Sequence, residues 1–271
     1  MELELGRTSV LKLDELPQGC ISHILSFTTP KDTCVCSAIS TAFHSAAESD
    51  SVWNQFLPSD YQGVLSRAAD HVRFSSKKNL FFQLCRSLLV DEGKSSFMLE
   101  KSTGYKCFML SSEKLNIVWG DTPQYWTWHP LPQSRFSMVA ELMNVCWLNV
   151  DGTVRSGELQ ANTVYVAYLI YTFSPHSFGF DTKHQEAMVK IADEVICDEI
   201  LYLKRVVRQP RFEEVKYFPR LRDDNWMEIG LGEFLNEYRV EEEIKVVFRE
   251  IKILYWKKGL IIEGIEFRPK Q

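Results

Sequence analysis

The amino-acid sequence predicts an α+β chain in which a small N-terminal helical module precedes an antiparallel β-sandwich of jelly-roll-like form. Three observations carry this. Helix-start signals and apolar residues at helical spacing fill the first sixty residues, and from Phe97 the apolar pattern changes to that of strands. A length of 271 residues is long for one compact domain and suits two unequal ones. The boundaries read as 1–59 for the helical module, 60–96 for a helical connector and 97–271 for the sandwich.

In the first helix Asp14 is a candidate cap, Pro17 lies near the opening turn, and Ile21, Ile24 and Leu25 fall on one face. Thr29-Pro30-Lys31-Asp32 is a second start, with Thr29 as N-cap, Pro30 where the missing N–H costs nothing, and Asp32 facing the helix dipole. Ser37 to Ala47 gives a helix holding Ile39 and Phe43, and Asp50 caps a last turn bearing Val52 and Trp53. The connector breaks between His71 and Lys78, and its Leu80, Phe81 and Leu84 are expected to pack on the second domain.

Strands follow. Phe97-Met-Leu-Glu and Tyr105 to Leu110 flank Lys-Ser-Thr-Gly104 as a hairpin, and Asp151-Gly152 reads as a tight turn after Cys146 to Val150. Thr163 to Phe173 is apolar on both parities, as a strand buried on both faces must be. Along Ile244 to Arg249 the alternation sends Ile244, Val246 and Phe248 inward and Lys245 and Arg249 outward. Helical signal in this half is confined to about Lys183 to Asp193. Strands at this density separated by Gly/Pro turns suggest a sandwich.

Composition excludes several functions. The chain is 45% hydrophobic and 25% charged with a net charge of −5, and scattered Lys and Arg offer no concentrated basic face for nucleic acid. Met1 to Val10 holds three charged side chains and no apolar run, and nowhere are there the roughly 18 uninterrupted apolar residues of a membrane helix. These features predict an intracellular protein with no membrane partner, and the expected compartment is cytoplasm and nucleus. Seven widely spread cysteines without a CxxC pair read as reduced thiols, most of them small core residues, and not as a disulfide frame or metal site. No cofactor motif is present, and neither GxSxG nor a Cys with a patterned His supports nucleophilic catalysis.

Two stretches carry more specific signals. Leu16-Pro17-Gln-Gly-Cys-Ile-Ser-His-Ile24-Leu25, continuing through Thr29-Pro-Lys-Asp32 to Asp50-Ser-Val-Trp53, resembles an F-box over Leu13 to about Pro58. A bundle this small exposes apolar side chains only where a partner covers them. The resemblance implies docking to a Skp-family adaptor of a cullin ubiquitin ligase, with Leu16, Pro17, Ile21, Ile24, Leu25, Val52 and Trp53 at the interface. Phe43 stands where many F-boxes carry Trp.

The second stretch is Ile117-Val-Trp119-Gly-Asp-Thr-Pro-Gln-Tyr125-Trp126-Thr-Trp128, with Val139 to Leu142 and Val145-Cys-Trp147-Leu148 after it. A sugar ring needs a flat aromatic plate for its C–H face and carboxylates or amides for its hydroxyl rim. Three of the seven tryptophans lie between Trp119 and Trp128, beside Asp121 and Gln124 and bounded by Pro123 and Pro130. Trp126 and Trp128 share one face of an extended segment, and Tyr125 takes the other. From about Lys114 to Pro269 the chain is similar to the phloem protein 2-like (Nictaba-like) plant lectins, with Asp223 to Phe234 and Gly259 to Pro269 as further matching stretches. That resemblance implies affinity for N-acetylglucosamine-containing glycans and gives Trp119 and Trp126 as stacking residues, beside Tyr125. It also brings in Glu243 and Glu250, although on an unbulged strand seven residues apart they face opposite sides. Trp128 and Trp147 read as core.

The two resemblances together imply a non-catalytic substrate-recognition subunit of a ubiquitin ligase that reads glycans on target glycoproteins. An F-box adaptor whose sandwich recognises a protein surface is the alternative. A glycosidase requires two carboxyl groups at set separation, and no compact acidic motif supplies them.

Overall fold

The computed structural model describes residues 13–181, 184–204, 215–237 and 241–270. These described residues divide into two compact units, one of them within 13–61, Val72–Arg86 and Leu99–Gly104 and the other within Gln62–His71, Ser87–Met98 and 105–270.

The first unit contains α1 (Gln18–Leu25), α2 (Pro30–Cys36), α3 (Thr41–Ala47) and α4 (Asp50–Phe56); α5 (Tyr61–Ser66) starts at its edge, and α6 (Lys77–Leu84) returns to it. Capping fixes these short helices. The hydroxyls of Thr29, Ser40 and Ser76 accept from the N–H groups of Asp32, Phe43 and Asn79 at 3.1, 3.3 and 3.1 Å. Ser49 is the N-cap of α4, a position expected for Asp50, which instead holds the first helical place and accepts from Lys77 N at 2.8 Å. Pro17 takes the N-cap of α1 without a side-chain cap; the side chain of Asp14 lies outside the described residues. Ile21, Leu25, Ala46, Val52 and Trp53 form the interior. The Trp53 ring lies 5.2 Å from Phe81 and 5.3 Å from Phe82, and its Nε1 donates to Ala47 O at 2.6 Å. Leu80, Phe81 and Leu84 are therefore core of the helical unit. Their expected place on the sandwich is corrected, because a bundle of one-turn and two-turn helices lacks apolar area until α6 adds its own.

The second unit is two antiparallel sheets. The larger has the order β1 (Leu88–Val90), β2 (Ser95–Leu99), β3 (Lys106–Ser111), β14 (Lys258–Pro269), β8 (Thr163–Phe178), β12 (Met227–Asn236), β11 (Arg220–Leu221), with β5 (Trp126–His129) and β6 (Val139–Leu142) joined through β14. The smaller is β10 (Glu194–Leu201), β9 (Gln185–Ile191), β13 (Glu243–Glu250), β7 (Leu148–Arg155), β4 (Asn116–Ile117). Between β2 and β3, the Glu100 carboxylate accepts from Ser102 and Thr103 and Gly104 has φ +78°, which closes the expected hairpin. Strand β8 is central, between β14 and β12, and buried on both faces from Tyr165 to Tyr171 apart from half-buried Tyr168.

Asp151-Gly152 is not a turn. Both residues lie inside β7 and pair with Val247 and Val246 without a break. A Cβ on Gly152 would come within 2.8 Å of Leu115 Cδ2 and 3.4 Å of Ile265 Cδ1 on the other sheet, so glycine is needed here for sheet-to-sheet packing. The helical expectation over 183–193 is likewise corrected. Lys183 is outside the described residues, and Gln185–Ile191 is β9, with Ala187, Met188 and Val189 buried between β10 and β13. Paired neighbours on both sides outweigh the helix propensity of Gln, Glu, Ala, Met and Lys. Only Cys107 among the seven cysteines is buried; Cys20 and Cys34 are exposed.

A second apolar layer covers the outside of the larger sheet. Ile265 faces the other sheet, so its register partner Leu169 does too, and Ile170 points outward into a cluster with Met109, Phe136, Val139, Trp226 and Ile261. Beside it Arg222 bridges Glu228 and Glu266 at 3.2 and 2.6 Å, and Arg268 reaches Glu228 at 2.7 Å while lying 3.9 Å over the Tyr168 ring. Burial alone would push the Glu266 carboxyl up, but Arg222, Arg135 and Arg268 hold it below the usual carboxylate range. Glu263 goes the other way: burial pushes it up despite Arg135.

Candidate functional site

The sandwich carries an exposed aromatic cluster built on the turn between β4 and β5. Gly120 N donates to Ile117 O, Thr122 N to Trp119 O, each at 2.9 Å, and Trp128 Nε1 donates to Gly120 O at 2.8 Å. This turn holds Trp119 at φ +59°. Left-handed backbone at a bulky residue costs about 1 to 3 kcal/mol and persists only where its surroundings impose it. The imposed result is a Trp119 ring that is 43% exposed, with its centroid 5.2 Å from Tyr125 and 5.6 Å from Trp147. Asp121 and Gln124 are exposed on the same turn, so hydroxyl-binding groups flank an apolar plate.

Trp126 does not belong to that plate. It is 2% exposed, pairs with Leu142 across β5 and β6, and offers no face to a ligand. One residue of strand pleat separates it from Tyr125 and turns its ring inward. Trp147, expected in the core, is half-buried and completes the cluster. Trp128 is also half-buried and serves to hold the turn.

Glu243 and Glu250 do face opposite ways on an unbulged β13, in register with Arg155 and Leu148. Seven residues of strand put them about 23 Å apart, and only Glu250 lies at the aromatic end. It is buried, accepts from Ile253 N at 2.8 Å, and is ion-paired with Lys257, itself 1% exposed. The Lys257 ammonium also donates to Cys146 O at 2.9 Å and to Tyr255 O. A two-bond backbone bridge between Val145 and Lys257 joins the same segments. Glu250 is thus spent on positioning: with Lys257 it ties the segment bearing Trp147 to the segment bearing Tyr255 and Trp256, which are 51% and 54% exposed. The sequence marks Tyr255 and Trp256 only as two aromatics after an Ile-Leu pair, and nothing in that pattern says they face solvent.

On the helical unit, Ile21, Leu25, Val52 and Trp53 are interior and cannot touch a partner. Helical spacing put them on one face, and in a bundle that face is the core. Pro17 is exposed and Leu16 half-buried. Exposed apolar side chains missed above join them: Leu13, Phe27, Val35 and Ile39, with Ile24 as expected; Phe27 is 78% exposed. Leu13, Phe27 and Val35 fall off the periodic core stripe, which was the available signal; Ile39, expected inside a helix from Ser37 to Ala47, precedes α3, which starts at Thr41 behind the Ser40 cap, and is left exposed.

A small helical unit with exposed apolar side chains, followed by a two-sheet antiparallel domain with an exposed aromatic cluster, defines an architecture that presents binding surfaces. Family comparison gives the rest. Residues 105–269 match the phloem protein 2 family and residues 13–59 the F-box-like family. F-box protein PP2-B10 of Arabidopsis thaliana is 42% identical over 94% of this chain and 93% of its own length, and F-box protein SKIP3 of the same plant 39% over 95% and 88%. The chain belongs to the phloem protein 2 family and is an F-box protein, a substrate adaptor. Among solved structures, a Podospora anserina GH26-CBM35 mannanase is similar at 7% identity and a TM-score of 0.35 over 61% of this chain and 28% of that one.

Proposed function

We propose that this protein is the substrate-recognition subunit of a Skp–cullin–F-box ubiquitin ligase in cytoplasm and nucleus, and that its sandwich binds N-acetylglucosamine-containing glycans on target glycoproteins. It performs no chemistry itself. The observation that carries the glycan reading is Trp119: a tryptophan held at positive φ with its ring presented to solvent and backed by Tyr125 and Trp147. The adaptor reading rests on the F-box match and on the exposed apolar groups Pro17, Ile24, Phe27, Val35 and Ile39. Covering a large aliphatic or aromatic side chain contributes about 1.5 to 3 kcal/mol, so a few of them suffice for a stable interface.

Calorimetric titration of the full chain with chitin oligomers and N-glycan cores tests the glycan reading. Shallow, wet sites bind between millimolar and micromolar, about −4 to −8 kcal/mol. No heat from any of these ligands at millimolar concentration sinks it. Co-purification with a Skp-family adaptor tests the other half, and Ile24→Glu with Phe27→Glu should abolish it while the fold persists; undiminished recovery refutes the interface. Recognition of a protein surface by the sandwich is the second reading. It is favoured by one observation, the exposed run Ile253 to Trp256, which presents more apolar area than one sugar face covers.

A further inference from the structure

Away from the aromatic cluster, the strand unit has a cavity of about 580 Å³ lined by Arg67, Asp91, Glu92, Lys94, Lys114 and Arg155, together with Ser95, Thr153 and Glu158 over an apolar floor. Its charges are not balanced. Arg67 is fully engaged, its Nε and Nη2 donating to Asp91 at 2.8 and 3.2 Å and its Nη1 to Glu158 at 2.7 Å. That clasp engages both carboxylates, with one negative charge left over, and Lys94, Lys114 and Arg155 have no ion-pair partner among the described residues. The one lining carboxylate outside the clasp is Glu92. Over the whole lining four cations face three carboxylates, a net of one positive charge, and the groups outside the clasp are basic except for Glu92. Glu243, opposite Arg155 in register, lies outside the lining and makes no ion pair with it.

A second observation points to an acceptor-rich ligand. Ser95 is 1% exposed, lines the cavity, and its hydroxyl has no hydrogen-bond partner. A buried donor without an acceptor is uncommon in native structures. The turn that builds the wall is also unusual, with Asp91, Glu92 and Gly93 all at positive φ, 54°, 60° and 78°.

We propose that this cavity binds a phosphate monoester. Such a group carries about −1.5 to −2 charge at neutral pH and three strong acceptor oxygens, which suits the three unpaired basic side chains and the hydroxyls of Ser95 and Thr153. Lys94, Lys114 and Arg155 supply the charge, Ser95 a donor at the floor, and Arg67 the rigid wall. The site is separate from the sugar plate, so its test does not depend on the glycan reading.

The experiment is calorimetric titration of the full chain with a phosphoserine peptide, its unphosphorylated form, ribose 5-phosphate and inorganic phosphate. Phosphorylated probes should bind and the unphosphorylated peptide should not; the tighter of peptide and sugar phosphate identifies the source of the ester. Lys114→Glu and Arg155→Glu should each weaken binding about tenfold or more, since each removes a charge-assisted contact. Glu92→Gln should tighten it severalfold by removing the opposing charge, and Ser95→Ala should weaken it without lowering thermal stability. Absence of heat from every phosphorylated probe at millimolar concentration overturns the proposal. So does a loss from Lys258→Glu, outside the cavity, equal to that from Lys114→Glu, because binding would then follow net charge alone.

Discussion

Replacing Lys257 with methionine should uncouple the two aromatic segments and destabilise the sandwich. The ammonium sits in a site that is 1% exposed, where it neutralises Glu250 and donates to the carbonyls of Cys146 and Tyr255. Methionine fills similar volume and leaves a buried carboxylate without its counter-charge, which costs about 3 to 5 kcal/mol. In a domain of this size each kcal/mol lowers the melting temperature by about 2 to 4 °C, so the transition should fall by about 6 to 20 °C. Scanning calorimetry of the full chain measures it. Adding Glu250→Leu to Lys257→Met should restore much of the loss, since removing both charges eliminates the uncompensated one; the cycle isolates their coupling. Below its transition the single variant should still bind chitin oligomers more weakly, because Trp147 and Tyr255 lose their common anchor. A Lys257→Met protein within about 1 kcal/mol of wild type, or a double variant less stable than the single one, would refute the reasoning.

Trp119→Ala should abolish glycan heat with little change in melting temperature, whereas Trp126→Ala, which empties a buried site, should cost about 3 to 5 kcal/mol; equal stability losses would contradict the placement of the two rings. Trp53→Ala should destabilise the helical unit by a similar amount, read from loss of its near-ultraviolet circular dichroism and of adaptor co-purification together. Gly152→Val should destabilise strongly, since its Cβ already meets Leu115 Cδ2 at 2.8 Å, while Gly157→Ala, with open space around it, should not. Because Glu266 ionises more readily folded than unfolded, its contribution is present above pH 4.5, the ordinary value, and is lost as pH falls through the depressed folded value. Glu266→Gln should therefore flatten the acid limb of stability against pH, and an unchanged limb would rule out the Arg222–Glu266 contact as its source.

Much of this protein was legible in its sequence because the deciding interactions are local. Thr29 caps α2 through a bond to Asp32 N, a signal spanning four residues, and the hairpin at Lys101 to Gly104 closes through Glu100, Ser102 and Thr103. Period alone distinguished helix from strand over most of the chain, and the buried run of β8 announced a central strand.

What tertiary structure decided was which face meets which neighbour. Periodicity puts Ile21, Ile24 and Leu25 on one stripe, but only packing against α3 and α4 makes Ile21 and Leu25 interior and leaves Ile24 outside. Trp119, Trp126 and Trp147 are alike as letters, yet a left-handed turn presents the first, strand pairing buries the second, and ring contact brings the third out to join the first. Glu250 carries no mark of its pairing with Lys257 in the sequence, because an ion pair across a β-loop has no sequence period. Gly152 imitated a turn for the same reason: its requirement comes from Leu115 and Ile265, side chains of segments 37 and 113 residues away along the chain. Local hydrogen bonding and periodicity are written in neighbouring residues, whereas burial and charge pairing depend on segments that only the fold brings together.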